Sequence, residues 1–332
     1  FRDRFDIPVT DEQIDSGDLP YLTFAPDSEE YKYLHARREA LGGYLPQRKP
    51  TQEVLEVPEL SAFETQLKSS GDREFSTTMA FVRILSTLLK DKKIGKRVVP
   101  IVPDESRTFG MEGMFRQYGI WNPKGQQYTP QDKDQLMFYK ESVDGQILQE
   151  GINEPGAMAD WIAAATSYAN NDFAMIPFYI YYSMFGFQRV GDLAWAAGDM
   201  HARGFLLGGT AGRTTLNGEG LQHEDGHSHM QAALIPNCIP YDPTFAYEVA
   251  IIVRDGIRRM YTEHEDVYYY MTLLNENYPH PEMPQGSTEG ILKGLHPVAA
   301  HKGSKGHVQL MGSGSILMEV IEGAKLLADE WG

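Results

Sequence analysis

QILQEGINEPGAMADWIAAATSYANNDFAMIPFYIYY, residues 146–182, holds one full repeat of the architecture. Gln146–Gln149 reads as a short strand and Asn153-Glu154 as a turn. Pro155 then opens a helix, because proline lacks an N–H that would go unpaired at the first helical position anyway. Met158, Trp161, Ile162, Ala165 and Tyr168 recur at helical spacing and predict its buried face. Ala174–Tyr181 follows as a continuous apolar run, the pattern of a strand covered on both faces.

The same order extends in both directions. Upstream, Ser76-Thr77-Thr78 offers a cap for a helix whose face is Phe81, Ile84, Leu85, Leu88 and Leu89. Arg97–Val102 reads as a strand ending at the acidic pair Asp104-Glu105. Downstream come a helix near Phe187–Ala202, a strand Gly204–Gly208, a long glycine-rich loop and a strand Ile235–Ile239. Helix Phe245–Tyr261 and strand Val267–Leu274 close the series. Strands alternating with helices at this spacing predict an α/β fold, a parallel sheet with helices on both faces. Residues 1–60 are polar and interrupted by proline, with one expected helix at Glu29–Leu41, and residues 1–75 read as a connecting segment. Residues 76–290 form the expected α/β domain. Residues 275–305, rich in Pro, Gly and His, read as a linker; His307–Met311 and Ser315–Leu327 then read as a strand and helix. The boundary falls near 290–305, so residues 291–332 hold linker and the truncated start of a second α/β domain, and both chain ends look cut from something longer.

Composition limits the function. Of 332 residues, 42% are hydrophobic and 23% charged, ordinary for a globular protein with a core. A net charge of −16 disfavours nucleic acid and anionic membrane as partners, since both would repel it. The longest uncharged apolar stretch, Ala174–Phe187, is 14 residues, short of the roughly 20 that span a bilayer. The single cysteine, Cys238, forms no internal disulfide and reads as an inert core residue, so a cytoplasmic setting is expected.

Three features fall at the carboxyl ends of the expected strands, where open parallel sheets bind ligands. Glu154 sits in the turn Glu150-Gly-Ile-Asn-Glu154, either as a helix cap or as an acid held in a cleft. The aromatic run Pro177–Phe187 crosses a strand end into a loop, where rings either pack or meet a flat ligand. The loop Gly208–His229 is long for a compact domain. Its His223, His227 and His229, beside Glu224 and Asp225, admit a rival reading as a metal-dependent hydrolase. No matching cluster on another strand end supports that rival. Gly312-Ser-Gly314 lacks the third glycine of a dinucleotide fingerprint, with Leu317 in its place.

Together these features resemble the transketolase superfamily of thiamine diphosphate enzymes. Glu150-Gly-Ile-Asn-Glu154 is similar to its strand-end motif, and Tyr182-Ser-Met-Phe185 to its aromatic segment. His223-Glu-Asp-Gly-His-Ser-His229 resembles its Gly-Glu-Asp-Gly-Pro-Thr-His loop, with His replacing the first Gly and the Pro. That departure is typical of the homodimeric pyruvate dehydrogenase first component, as are Asp104-Glu-Ser-Arg-Thr-Phe-Gly110, Gly125-Gln-Gln-Tyr-Thr-Pro130 and Tyr182-Ser-Met-Phe-Gly-Phe-Gln-Arg189.

The resemblance implies a thiamine diphosphate fold, here its pyrimidine domain plus the start of a transketolase C-terminal-like domain. It implies that Glu154 contacts the aminopyrimidine, Phe185 stacks on it, and Tyr182 lies beside the reacting centre. A Glu in that role carries a proton, so burial must outweigh the helix N-terminus, which favours the anion. His223 is carried over as the group that orients substrate, with Glu219 and Glu105 extending a proton path and Asp104 on the cofactor side. Asp225 and His229 are carried over as substrate-loop positions without assigned roles. The implied partners are pyruvate, a second copy of the chain, and the dihydrolipoyl acetyltransferase component with its lipoyl domain. The family's Gly-Asp-Gly motif for Mg2+ and diphosphate is missing, since Gly198-Asp199-Met200 lacks the final Gly. No metal ligand is therefore assigned to this chain. Metal and diphosphate are expected on another domain, and the chain alone is expected to be an inactive folded fragment.

Overall fold

The computed structural model describes residues 1–17, 20–44, 53–103, 106–131, 139–212, 219–301 and 305–332. It divides into two units, residues 1–48 and 49–332. The first holds two short helices. In Asp11–Ser16 the Thr10 hydroxyl accepts from the Gln13 amide while the Gln13 side chain accepts from the Thr10 amide, a reciprocal cap. Glu29–Ala40 is capped by the Ser28 hydroxyl, and neither helix buries a residue.

The second unit is built on a six-stranded, all-parallel sheet. Its strands are β1 (Val98–Val102), β2 (Leu148–Gln149), β3 (Ile176–Tyr182), β4 (Phe205–Gly209), β5 (Cys238–Tyr241) and β6 (Tyr268–Thr272), in the order β2-β1-β3-β4-β6-β5. β3, β4 and β6 lie inside the sheet and are almost wholly buried, which is why they read as apolar runs instead of alternating. Phe178 and Phe205 stack at 4.6 Å between neighbouring strands. The chain runs from β1 outward to β2 and then returns across β1 to β3, so the strand order reverses at β1. Such a reversal opens a crevice at the carboxyl edge.

The helices flank the sheet. α1 (Thr77–Lys90) is capped by the Ser76 hydroxyl, which accepts from the Met79 amide, and buries Phe81, Ile84, Leu85, Leu88 and Leu89. α2 (Glu154–Ala165) packs on β1, β3 and α3 (Gly186–Asp199). α4 (Ser228–Ala233) begins in the last two residues of what reads in sequence as loop. α5 (Ala246–Ile257) packs against α1 and runs on through a wider turn, Arg258–Thr262.

Two expectations need correction. Residues 275–292 are not linker. Tyr278–Pro279 pairs with Glu74–Phe75, and His280 is buried beneath them. Its Nε2 donates to the Phe75 carbonyl at 2.8 Å while Nδ1 accepts from the Ala246 amide at 3.0 Å. Burial, ahead of its other contacts, holds the His280 pKa below its ordinary value, in keeping with a neutral ring that both accepts and donates. Helix Thr288–Leu292 then buries Ile291 against α5. Nor is His307–Met311 a strand. No neighbour pairs with it among the described residues, and a strand without a ladder leaves its backbone groups to water. α6 (Ile316–Trp331) does form, ending four residues later than expected. No helix among the described residues is long and apolar enough to cross a membrane.

Candidate active site

Because all six strands are parallel, the residues that follow them collect along one edge. After β2 the chain passes Glu150 and turns into α2. The cap is Asn153, whose side-chain oxygen accepts from the Gly156 amide at 3.2 Å. This settles one alternative left open by the sequence. Glu154 is the first residue of α2, not its cap, and its carboxylate pairs instead with Arg189.

After β3 the chain turns sharply through Ser183–Phe185 into α3. A Cβ on Gly186 would lie 1.9 Å from a ring carbon of Tyr181, so glycine lets this turn settle against the strand. The turn places Phe185 and Tyr182 edge to face, their ring centres 6.1 Å apart. α3 loses helical geometry at Val190 (φ −127°, ψ 18°), which sets its first turn apart. From that turn, Arg189 reaches back to Glu154. Its Nη1 donates to Glu154 Oε1, and its guanidinium carbon lies 4.3 Å over the centre of the Phe185 ring. The Glu154 side chain is 14% exposed and that of Arg189 44%.

The loop after β4 brings His223 to the same place. Its ring stands edge-on to both Tyr182 and Phe185, 5.1 Å from each. His223 Nδ1 lies 3.1 Å from Glu219 Oε2, without hydrogen-bond alignment, a contact that becomes an ion pair when the imidazole is protonated. Tyr182, Phe185 and His223 are thus joined by direct ring contacts, Glu154 joins them through Arg189, and Glu219 lies behind His223.

Asp225 and His229 lie elsewhere on the loop. Asp225 Oδ1 accepts from the His227 and Ser228 amides, each at 3.0 Å, and Oδ2 accepts from the Ser228 hydroxyl. Burial acts to raise the Asp225 pKa, but the bonds from the Ser228 hydroxyl and the two amides outweigh it and hold the carboxyl below its usual range. His229 Nε2 lies 2.9 Å from the Thr272 hydroxyl, which donates to Asp242 at 2.5 Å. His229 and Asp225 share with Asp242 and Ser313 the wall of a cavity of about 360 Å3.

Asp104 and Glu105 lie outside the described residues, so their expected roles have no geometry here. The three loop histidines do not converge. His223 faces the aromatic pair, His227 Nε2 meets Gln188 Nε2 at 3.0 Å, and His229 meets Thr272. Among the described residues no three metal-binding side chains gather, so the hydrolase reading lacks its ligand set.

Sequence reasoning gave Arg189 and Gln188 no role, although both stand in the quoted motif. The available signal was spacing: Arg189 lies four residues after Phe185, one helical turn on. What the sequence did not offer was the partner, 35 residues upstream at the start of α2.

This donor set fits an aminopyrimidine. It offers a carboxylate to a ring nitrogen and an aromatic face to the ring, and the group now between them is itself planar and rich in N–H donors.

Comparison with known proteins bears on the same residues. The model of the pyruvate dehydrogenase E1 component middle domain matches residues 55–281. The chain is 65% identical over 335 residues to the pyruvate dehydrogenase E1 component of Cupriavidus necator, covering 100% of this chain and 37% of that protein. It is 62% identical over 333 residues to the Escherichia coli K12 protein of the same description, with the same coverage. The chain therefore spans little more than a third of these relatives. Among solved structures it is similar in fold to a transketolase variant from Pichia stipitis, with a TM-score of 0.52 and 15% identity over 75% of this chain and 32% of that chain. Transketolase from Leishmania mexicana gives 0.50 and 16% over 79% and 34%.

Proposed function

We propose a function from one premise: the chain belongs to the pyruvate dehydrogenase E1 component middle-domain family. It is the pyrimidine-binding part of a thiamine diphosphate enzyme that decarboxylates pyruvate and passes the acetyl group to the lipoyl group of a dihydrolipoyl acetyltransferase. The observation that carries this reading is the cluster of Glu154, Phe185, Tyr182 and His223 at the carboxyl edge of a parallel sheet.

Thiamine diphosphate, when bound, supplies the electron sink that decarboxylation of a 2-oxo acid requires. The work of this chain is to hold and poise it. Glu154 presents a proton to a nitrogen of the pyrimidine, and Phe185 stacks on that ring. Tyr182 and His223 border the space beside it, where His223 donates to the substrate's developing oxyanion. Glu219, 3.1 Å from His223 Nδ1, orients the His223 ring. Asp225 keeps the loop in shape, and His229 keeps it attached to Thr272. Mg2+ and the diphosphate are held mainly by another domain, in a homodimer where each site draws on both copies, with Asp104 assigned to the cofactor and Glu105 to a relay between the two sites. Residues 291–332 open the C-terminal domain. The single buried cysteine suits a cytoplasmic setting.

The test is dye-linked oxidation of pyruvate by the full-length protein, with and without thiamine diphosphate and Mg2+, with bulkier 2-oxo acids compared. Turnover that requires both additions and prefers pyruvate is expected. Turnover indifferent to the cofactor, or a preference for a bulkier 2-oxo acid, would contradict the reading.

A further inference from the structure

Arg189 satisfies Glu154 and Phe185 at once, and these are the two side chains the proposed function assigns to the pyrimidine ring. Its guanidinium is flat, delocalised and lined with N–H donors. It lies over the Phe185 face at 4.3 Å and donates to the Glu154 carboxylate. A planar heterocycle stacked on Phe185 and hydrogen-bonded to Glu154 would need the same space and the same acceptor. A ring that takes Glu154 Oε1 and the face of Phe185 on which the guanidinium lies must displace Arg189.

We propose that Arg189 is a displaceable latch: its guanidinium fills the ring site between Phe185 and Glu154, and the ligand's pyrimidine binds only as Arg189 swings out. This rests on the thiamine diphosphate reading and adds to it a residue that sets how fast and how tightly the ring enters.

Three features make the exchange feasible. The Arg189 side chain is 44% exposed, so it moves into water without opening the core. It stands at the end of the first turn of α3, just before the non-helical Val190, so the rest of the helix stays in place. Its interactions are of the weak kind, a partly exposed ion pair and a cation–π contact, which together slow a competitor by a modest factor and do not exclude it. The latch also explains how an acid kept for catalysis avoids standing unpaired before the ring arrives.

Binding separates this from a structural role. Thiamine diphosphate with Mg2+ is added to the full-length protein, with association followed by stopped-flow tryptophan fluorescence and Kd by calorimetry. The forms compared are wild type, Arg189→Ala, Arg189→Lys and Phe185→Ala. Removing the latch is expected to speed association and tighten Kd by about threefold to tenfold in Arg189→Ala. Arg189→Lys, which keeps the charge but not the flat stack, falls between that variant and wild type and guards against a folding defect in Arg189→Ala. Slower association or weaker binding in both Arg189 variants would overturn the latch, and so would unchanged rates. If Phe185→Ala weakens binding in the same series, the thiamine reading stands even as the latch falls. If the wild type shows no saturable binding, or Phe185→Ala binds as the wild type does, the ring site itself is wrong and the latch goes with it.

Discussion

Glu154 and Asp225 are two carboxylates on the same edge of the sheet, held in opposite ways. Asp225 has a 4% exposed side chain, and the groups bonded to it lie two and three residues along its own loop, with both oxygens engaged. Glu154 is held by a half-exposed arginine from another strand-to-helix turn. A carboxylate saturated by its own backbone is part of the frame, because changing its partners means unfolding the loop. One whose partner is a long, exposed side chain can trade that partner for a ligand. Burial alone would not have separated them.

The contrast predicts opposite failures. In the full-length protein with cofactor and Mg2+, Glu154→Ala should cut turnover by about three orders of magnitude, roughly 4 kcal/mol in the barrier. Its thermal midpoint should stay close to wild type, since the lost pair with a half-exposed arginine contributes no more than about 1 kcal/mol. Near-normal turnover would break the contrast on this side.

Asp225→Ala should instead destabilise the fold by about 2–4 kcal/mol in urea titration, because two amides and a hydroxyl lose their acceptor in a buried loop. A loss below about 0.5 kcal/mol would remove Asp225 from the frame.

The pH dependence follows from the same bonds. They hold the folded Asp225 pKa below its unfolded value, so the stabilisation is complete above the ordinary carboxylate range and lost as pH falls through the folded value. The stability gap between wild type and Asp225→Asn should therefore narrow below about pH 4, read from urea midpoints. A gap that widens there would contradict the assignment.

The smallest effect concerns the joint between the two regions. Gln188, on the first turn of α3, meets His227 of the loop at 3.0 Å. A double-mutant cycle of Gln188→Ala and His227→Ala should give a coupling of about 0.5–1 kcal/mol. Zero coupling would make the two regions independent.

The sequence made the sheet and its helices legible because turn residues bound the strands and start signals open helices, as Ser76 does before α1 and Pro155 does in α2. It misread His307–Met311 because a strand exists only with a neighbour, and an apolar pattern does not say whether one is present. It took residues 275–292 for linker because proline and glycine there hide the burial of His280 and Ile291, which depends on α5 and on strand Glu74–Phe75. The site divides in the same way. Glu154, Tyr182, Phe185 and His223 stand in motifs that a single sequence displays. The cap at Asn153, the frame role of Asp225 and the pairing of Arg189 are properties of contact, the last between residues brought together only by the reversal of strand order at β1.

The claim at the centre is that Glu154 activates the cofactor. Hydrogen exchange at C2 of thiamine diphosphate, bound with Mg2+ to the full-length protein, reads that step apart from substrate binding and product release. Compared by quenched-flow NMR, Glu154→Gln should slow the exchange by about a hundredfold or more relative to wild type. Equal rates in the two proteins would contradict it.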